Sequence, residues 1–547
     1  MSPFVAMAGP RESTFSPQPE RRGSFTLVSD ARIDEGGSIL DAYATWGDAC
    51  VDHLVGDFSF AIWDASRGRL FCARDFMGIR QLYYARTAEA LIVASSIGPI
   101  LRHPGVSGAL EESAMAKFLI GGANEFPVDT FYSQIKRLSP GHTLSWDGER
   151  VVIRRYWSLP LDGEIRYRDR RDYIAHFREV FDRAVADRLR GVDGAAAMMS
   201  GGLDSTSVSV TAQRTLSTPL RAYTTSFAKM LHDEEASWAA RVASAGGMVH
   251  RVFERDDCAL FEDASAYLRA EPFEDPLASV FLDLARDAAR YAPVMLAGEG
   301  GDVLFYTSHG HFRGLLRHGR LLRFGTEIAS YTWRNHRLPP LNLRAVVKSW
   351  FGAKPKRATF PAWIREDVVR RFSLREQFES ESAIGALHPV RPEAHRALMQ
   401  PFWQRLFETW DPSETGIPIR IVYPFFDRRL VELLFAFPPM PWFADKHLLR
   451  EAMNGRLPDQ VRHRPKTPLA GDPLRIVMRR STAELRGVLE AAPEMTDLID
   501  SGKLLGYLKT EQGDGSSDLL AAFPFCLAKW WSGRKTRIPE SSVGSYS

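Results

Sequence analysis

The feature that most constrains this 547-residue chain is the hexapeptide Ser200-Gly201-Gly202-Leu203-Asp204-Ser205, which stands between an apolar run and a helical pattern. The run Ala195-Ala196-Ala197-Met198-Met199 reads as a strand buried on both faces, because such strands need no polar alternation. The pattern through Ser207, Val210 and Gln213 reads as the helix that follows. A Gly-rich turn at that junction presents backbone amides ahead of a helix N-terminus, which makes a nest for a polyphosphate. Gly201 and Gly202 let the main chain approach phosphates closely. Ser200 and Ser205 supply hydroxyl donors, and Asp204 is suited to hold Mg2+ against the phosphates. The competing reading is a Gly-rich turn with Asp204 as a helix cap.

A second carboxylate is set up in the same way. Pro293-Val294-Met295-Leu296-Ala297 reads as another parallel strand and runs into Gly298-Glu299-Gly300-Gly301-Asp302. Ligands of parallel sheets bind outside the carboxyl ends of the strands, so Asp204 and Asp302 are expected to converge on one hard cation that bridges phosphates. Further apolar runs at Leu220 to Phe227 and Val249 to Phe253, with a helical stretch at Ala236 to Ala245, predict a parallel α/β sheet. Beyond Phe305 the chain reads mostly helical. The basic, Pro-punctuated stretch from about Lys348 to Pro361 reads as a mobile loop.

The N-terminal texture differs. From Ser24 to Tyr84, short alternating apolar segments such as Phe58 to Trp63 and Arg69 to Arg74 are separated by turns such as Ser66-Arg67-Gly68, which predicts an antiparallel sheet region. The pattern closes near Tyr156-Trp157, and the unpatterned polar stretch Asp162 to Arg171 marks a boundary between domains over 1–160 and 170–547. Lys plus Arg number 70 against 67 Asp plus Glu, and the resulting charge of +3 lacks the basic field of a generic nucleic-acid binder. Four cysteines lie far apart with no CxxC pair, which fits neither a zinc site nor a disulfide framework and points to a reducing, cytoplasmic compartment. Neither a signal peptide nor an apolar stretch of membrane-spanning length is present. Nucleic-acid and membrane partners are therefore not expected.

Taken together, Ser200 to Ser205, Thr225-Ser226-Phe227 followed by Asp233-Glu234, Gly298 to Asp302, and Tyr423-Pro424-Phe425-Phe426-Asp427 resemble the asparagine synthetase family. The segments Gly56 to Trp63 and Arg74-Asp75-Phe76-Met77-Gly78-Ile79-Arg80-Gln81-Leu82-Tyr83-Tyr84 resemble that family's N-terminal amidotransferase-type domain, so the likeness covers nearly the whole chain. The resemblance implies an α/β and α+β molecule. A degenerate N-terminal-nucleophile amidotransferase-like, β-rich sandwich precedes a PP-loop (adenine nucleotide α-hydrolase-like) parallel α/β synthetase domain with a helical C-terminal part. It implies ATP and Mg2+ as cofactors, adenylation of a carboxylate with loss of pyrophosphate, and displacement of AMP by an amine. Nucleotide contacts are implied at Met199, Ser200, Gly201, Gly202, Asp204, Ser205, Phe227, Ala297, Gly298 and Asp302, with Asp204 and Asp302 holding the metal. Lys466, in Arg462-His463-Arg464-Pro465-Lys466-Thr467, matches the family's Arg-x-x-Lys-type loop and joins Asp204 and Asp302 as the implied catalytic set. A cation placed where charge builds in the transition state is worth about 3 kcal/mol. Lys446, in Asp445-Lys446-His447-Leu448-Leu449-Arg450, is the weaker candidate and is expected to order a helix start.

Departures from the family pattern indicate which member this is. Glutamine-using members carry a cysteine directly after the initiator Met; here Ser2 follows Met1, and a hydroxyl is a far poorer nucleophile at neutral pH. Ser29-Asp30-Ala31-Arg32 stands in place of the glutamine-binding Asn-Gly-Glu segment. No glutaminase activity is expected, and the N-terminal domain serves as a scaffold or substrate wall. Arg420 occupies the position, four residues before Pro424, where asparagine-forming members have a glutamate. A cation there repels ammonium and suits another acceptor or a carboxylate; the alternative is an ion pair within the fold.

Relatives without the cysteine include β-lactam-forming synthetases and lasso peptide macrolactam synthetases, and the degenerate N-terminus and long basic C-terminal half are most similar to the latter. The expected activity is macrolactam formation in lasso peptide biosynthesis. An Asp or Glu side chain of a leader-processed peptide is adenylated and joined to the peptide's N-terminal amine, with the precursor protease and a leader-binding protein as candidate partners. The alternatives are an ammonia-dependent asparagine synthetase, a small-molecule β-lactam synthetase, a catalytically silent partner-binding protein, and a nucleic-acid thiolating enzyme. Arg313, Arg317, Arg320 and Arg323 recur at helical spacing and either receive an acidic peptide or partner or are merely solvated. Phe523, Phe525, Trp530 and Trp531 either line a peptide channel or pack the core, with packing the expectation.

Overall fold

The computed structural model describes residues 3–9, 13–16, 18–122, 126–306, 319, 321–335, 359–380, 387–465, 471–510 and 515–537. A pair of antiparallel sheets stack face to face in the N-terminal region. One has the strand order Ser13–Ser16, Val5–Ala8, Leu91–Ala94, Tyr83–Arg86, Ile135–Arg137; the other runs Val151–Arg155, His142–Trp146, Arg69–Arg74, Val55–Asp64, Phe25–Glu35, Glu20–Arg22. The near-continuous apolar segment Phe58 to Ile62 follows from burial on both faces. Ala61, Leu70, Cys72 and Val28 pack with Leu91 and Val93 of the facing sheet. Their neighbours Phe58, Phe60, Ile62 and Phe71 pack on the helix Ile39–Trp46. Successive side chains point to opposite faces, so a strand covered on both sides needs no polar alternation.

The C-terminal region is built on a parallel sheet ordered Val249–Glu254, Arg221–Ser226, Ala196–Met198, Val294–Leu296, Arg420–Val422. The four expected runs form strands, with two departures. Val249–Glu254 lies at an edge with Val249 and Val252 exposed, so its apolar run is not buried on both faces. The fifth strand, Arg420–Val422, falls in a stretch read as helical. It pairs with Val294–Leu296, but Pro418 and Arg420 interrupt its apolar run, so three residues leave no period to read. Helices Arg170–Arg188, Leu203–Thr215, Glu235–Gly246 and Ala278–Ala289 complete the layers.

From the central strand Ala196–Met198 the chain moves outward through Arg221–Ser226 and Val249–Glu254, then returns to the other side with Val294–Leu296. Strand order therefore reverses between Ala196–Met198 and Val294–Leu296, the position where open parallel sheets leave a crevice at their carboxyl ends.

The C-terminal helix Gly515–Arg537 buries Phe523, Phe525 and Trp530. Phe523 lies 5.3 Å from the ring of Phe118, and Trp530 lies 5.4 Å from that of Phe131. Trp531 is half-buried against the same core. These aromatics pack the junction of the two regions. Arg313, Arg317 and Arg320, and residues 348–358 of the basic Pro-punctuated stretch, lie outside the described residues. Arg323 falls on the helix Leu321–Asn335. All four cysteines are free and buried. Among the described residues no helix is long and apolar enough to cross a membrane.

Candidate functional site

The turn Ser200 to Asp204 leaves the end of Ala196–Met198, and Gly298 to Asp302 leaves the end of the adjacent strand Val294–Leu296, so the two segments lie side by side. Glycine makes their contact possible. A Cβ on Gly301 would lie 2.4 Å from Asp204 Cγ, and one on Gly298 would lie 2.8 Å from the backbone N of Ser205; no larger residue permits that approach. Ser205 Oγ fastens the turn, accepting from Ser200 N–H at 3.1 Å and meeting Ser200 Oγ at 3.0 Å. Helix Leu203–Thr215 begins at the turn with Gly202 as its N-cap, aiming the positive end of its dipole at the cleft.

Asp204 and Asp302 converge. Lys446 Nζ donates to Asp302 Oδ1 at 2.5 Å and also to Asp204 Oδ2. This corrects the expectation for Lys446. It does precede the helix His447–Ala452, but its ammonium is the group that bridges the two carboxylates. Asp445 and Lys446 are both left-handed, with φ of 49° and 56°. Lys466 lies outside the described residues; the chain is described up to Pro465, which with Arg464 lines the cleft.

The cleft encloses about 620 Å3. Met199, Ser200, Gly201, Gly202, Asp204, Ser205, Phe227, Gly298 and Asp302 all line it, whereas Ala297 is buried beneath and donates its N–H to Val422 O at 3.0 Å. One wall is apolar, made by Phe227, Val280, Phe281 and Leu284. Glu299 also faces the cleft; burial pushes its carboxyl up from the ordinary value, and the charge of Asp204 adds to the shift.

The residues present fit a magnesium nucleotide. Two carboxylates already share one cation, the glycines let the two turns lie closer than a Cβ at Gly298 or Gly301 would allow, and an apolar wall suits a flat base. Among the described residues no group of three or more His, Cys, Asp or Glu could hold a metal. Two carboxylates leave coordination positions for phosphate oxygens and water, as Mg2+ prefers.

Sequence reasoning misses Glu235. Gly201 N–H donates to Glu235 Oε2 at 2.6 Å, and Glu235 Oε1 lies 3.4 Å from Arg464 Nη2. The carboxylate of Asp233 orders the approach, accepting from Phe227 N–H at 2.9 Å and Glu235 N–H at 2.8 Å. Asp233-Glu234 draws notice by resemblance; the only local signal for Glu235 is its place one residue further on, at the start of a helix.

Arg420 forms an ion pair. It stands at the amino end of its strand, away from the cleft, and Arg420 Nη1 donates to Asp30 Oδ1 at 2.7 Å. Burial alone would raise the Asp30 carboxyl, but the charges of Arg80 and Arg420 outweigh it and hold it below the ordinary value. Nearby, Arg32 Nη2 lies 2.9 Å from Asp57 Oδ2, and Arg188 joins Asp57 at 3.6 Å to Asp427 at 3.0 Å. The segment Ser29 to Arg32 is thus ion-paired to the C-terminal region. Met1 and Ser2 lie outside the described residues.

The asparagine synthase family model matches residues 176–521, and the glutamine amidotransferase domain model matches residues 23–157. The chain is 24% identical over 466 residues to glutamine-hydrolyzing asparagine synthetase 3 of Bacillus subtilis (strain 168), covering 82% of this chain and 72% of that protein. It is 28% identical over 282 residues to a putative glutamine-hydrolyzing asparagine synthetase of Mycobacterium bovis, covering 50% of this chain and 42% of the relative. It is also 28% identical over 301 residues to amidase chyE of Penicillium rubens, covering 51% and 43%. The chain thus spans less than half the length of the last two.

Proposed function

The chain belongs to the asparagine synthase family, and from that membership we propose that it joins an activated carboxylate to an amine within the same substrate, closing a macrolactam between a peptide's N-terminal amine and an Asp or Glu side chain. The broader activity is that of an asparagine synthetase-like, ATP-dependent amide-forming ligase. The observation that carries the narrower reading is the Asp30–Arg420 ion pair, with Arg80 beside it. The segment that stands in place of the family's glutamine-binding one is occupied by charge pairing between the two regions of the chain, which supports an amine source other than glutamine.

Bound ATP with Mg2+ would supply the α-phosphorus attacked by the substrate carboxylate, giving an acyl-adenylate and pyrophosphate. Asp204 and Asp302 are the residues that would hold the metal, with the amides and hydroxyls of Ser200 to Ser205 around the phosphates. Phe227, Val280, Phe281 and Leu284 are the proposed seat of the base, and water has to be kept from the acyl-adenylate for the amine to capture it. Lys466 is the proposed cation for the oxyanion formed when the amine attacks. Folding of the peptide within the cleft supplies the effective concentration that ring closure needs. The precursor protease and a leader-binding protein are the proposed partners, in the cytoplasm.

The test is pyrophosphate release from ATP and Mg2+ with three substrates: aspartate plus ammonium, small β-amino acids, and a leaderless peptide carrying an internal Asp or Glu. Release with the peptide alone, with a mass loss of one water from it, is the expected result. Turnover of aspartate and ammonium would replace ring closure by asparagine formation.

A further inference from the structure

The three amides of the glycine turn are not equivalent. Those of Ser200 and Gly202 stay within it, donating to Ser205 Oγ at 3.1 Å and Ser200 Oγ at 3.2 Å. The Gly201 amide instead points to another element and donates to the carboxylate of Glu235 at 2.6 Å, a short charge-assisted bond. Gly201 is pressed against that element: a Cβ there would lie 2.3 Å from Trp238 Cβ and 2.7 Å from Arg464 Nη1. The second oxygen of Glu235 faces Arg464 at 3.4 Å, and the Arg464 guanidinium lies 4.9 Å from the Trp238 ring centre. From Arg464 the contacts continue around the cleft. Its carbonyl accepts from Arg450 Nη2 at 3.1 Å, and Arg450 Nε donates to Asp445 O at 2.8 Å, one residue before Lys446.

We propose that Glu235 is an exchangeable internal anion of the phosphate nest: its carboxylate holds the Gly201 amide until a phosphate oxygen takes that donor, and then passes to Arg464. One N–H does not serve two anions well, and two anions at contact distance repel. Phosphate binding at Gly201 therefore has to displace Glu235, and Arg464 is the cation already placed to receive it. Glu235 acts here as a positioning residue that sets phosphate affinity. The proposal rests on the nucleotide reading above.

The experiment is calorimetric titration of the full-length protein with inorganic pyrophosphate and Mg2+, compared with the variants Glu235→Gln and Glu235→Ala. Adenosine, which carries no phosphate, serves as the control ligand, and the melting temperature reports folding. Both variants are expected to bind pyrophosphate about tenfold more tightly than the parent, with adenosine binding unchanged. A residue that merely braces the turn would give the opposite sign. Unchanged or weaker pyrophosphate binding in the variant that retains the parent's melting temperature overturns the exchange while leaving the nucleotide reading intact. If the parent protein binds neither pyrophosphate nor ATP, the exchange and the nucleotide reading fall together.

Discussion

At the scale of single residues, the cleft is organised by charge at short range. Asp204 and Asp302 were legible in the sequence because each stands in a glycine-flanked turn directly after an apolar strand, a local pattern that carries its own geometry. Lys446 was not, because it reaches Asp204 across 242 residues and Asp302 across 144, and no local period records a contact of that length. Its ammonium offsets two carboxylates that would otherwise repel. Lys446→Met is therefore expected to lower the melting temperature in the absence of divalent cation. Added Mg2+ should raise the melting temperature of this variant by more than it raises that of the parent, since the cation then fills the place of the lost ammonium. Equal Mg2+ responses in thermal melts would count against that account. Asp204→Asn and Asp302→Asn each remove one of two anionic ligands and should cut ATP-dependent pyrophosphate release by about 100-fold or more, with melting temperatures near that of the parent.

At the scale of elements, the parallel strands declared themselves where an apolar run surrounds them, the edge strand Val249–Glu254 included. Arg420–Val422 did not, since Pro418 and Arg420 break the apolar run around it, and its conformation is owed to pairing with Val294–Leu296 rather than to propensity. The turn that leads into helix Pro392–Leu398 was equally silent, yet it supports the site. Arg391 is fully buried and donates to the carbonyls of Leu434, at 2.9 Å, and of Leu304. It thereby ties the short helix Gly301–Leu304, which carries Asp302, to the helix Arg428–Ala436. His388 Nδ1 accepts the Arg391 N–H at 3.1 Å, and His395 Nδ1 accepts the His388 N–H at 2.9 Å. Protonation would convert each acceptor into a donor facing a donor. Burial, with the charge of Arg391 adding, pushes the His388 imidazole down to about 4 from 6.5. The unfolded chain thus binds more protons between these values, so stability is complete above about pH 6.5 and is lost as pH falls toward 4, by up to about 3 kcal/mol. Urea midpoints across that range should show the decline. In His388→Asn, which keeps a capping acceptor without a titrating ring, the decline should be shallower.

At the scale of the whole molecule, the two regions of the chain are joined through buried charge, and they are expected to unfold as one thermodynamic unit. Arg137, on the last strand of the five-stranded N-terminal sheet, pairs with Glu271 and lies 3.3 Å from Glu408. Arg405 completes the cluster, 3.4 Å from Glu271 and 3.1 Å from Glu408, and Tyr83 Oη donates to Glu408. Arg74 Nη1 reaches Gln404 at 3.0 Å, and Trp157 Nε1 reaches Glu432 at 2.8 Å. The side chains of Glu271 and Glu408 are 4% and 5% exposed, so water has little access to either. A buried ion pair adds little over an apolar replacement of both partners, but removing one partner strands the other. Arg137→Met leaves two buried carboxylates to share Arg405, and the expected cost is about 3–5 kcal/mol. Spread over the unfolding entropy of a chain this long, that lowers the melting temperature by about 3–4 °C. The form of the transition carries the argument further. If the regions unfold together, calorimetry of the variant shows one peak moved as a whole. If the N-terminal region is an independent passenger, the two regions melt in separate transitions and the variant shows two peaks displaced by different amounts. The single shifted peak is the expected outcome, because stranding Glu271 and Glu408 destabilises the C-terminal region from within its own core.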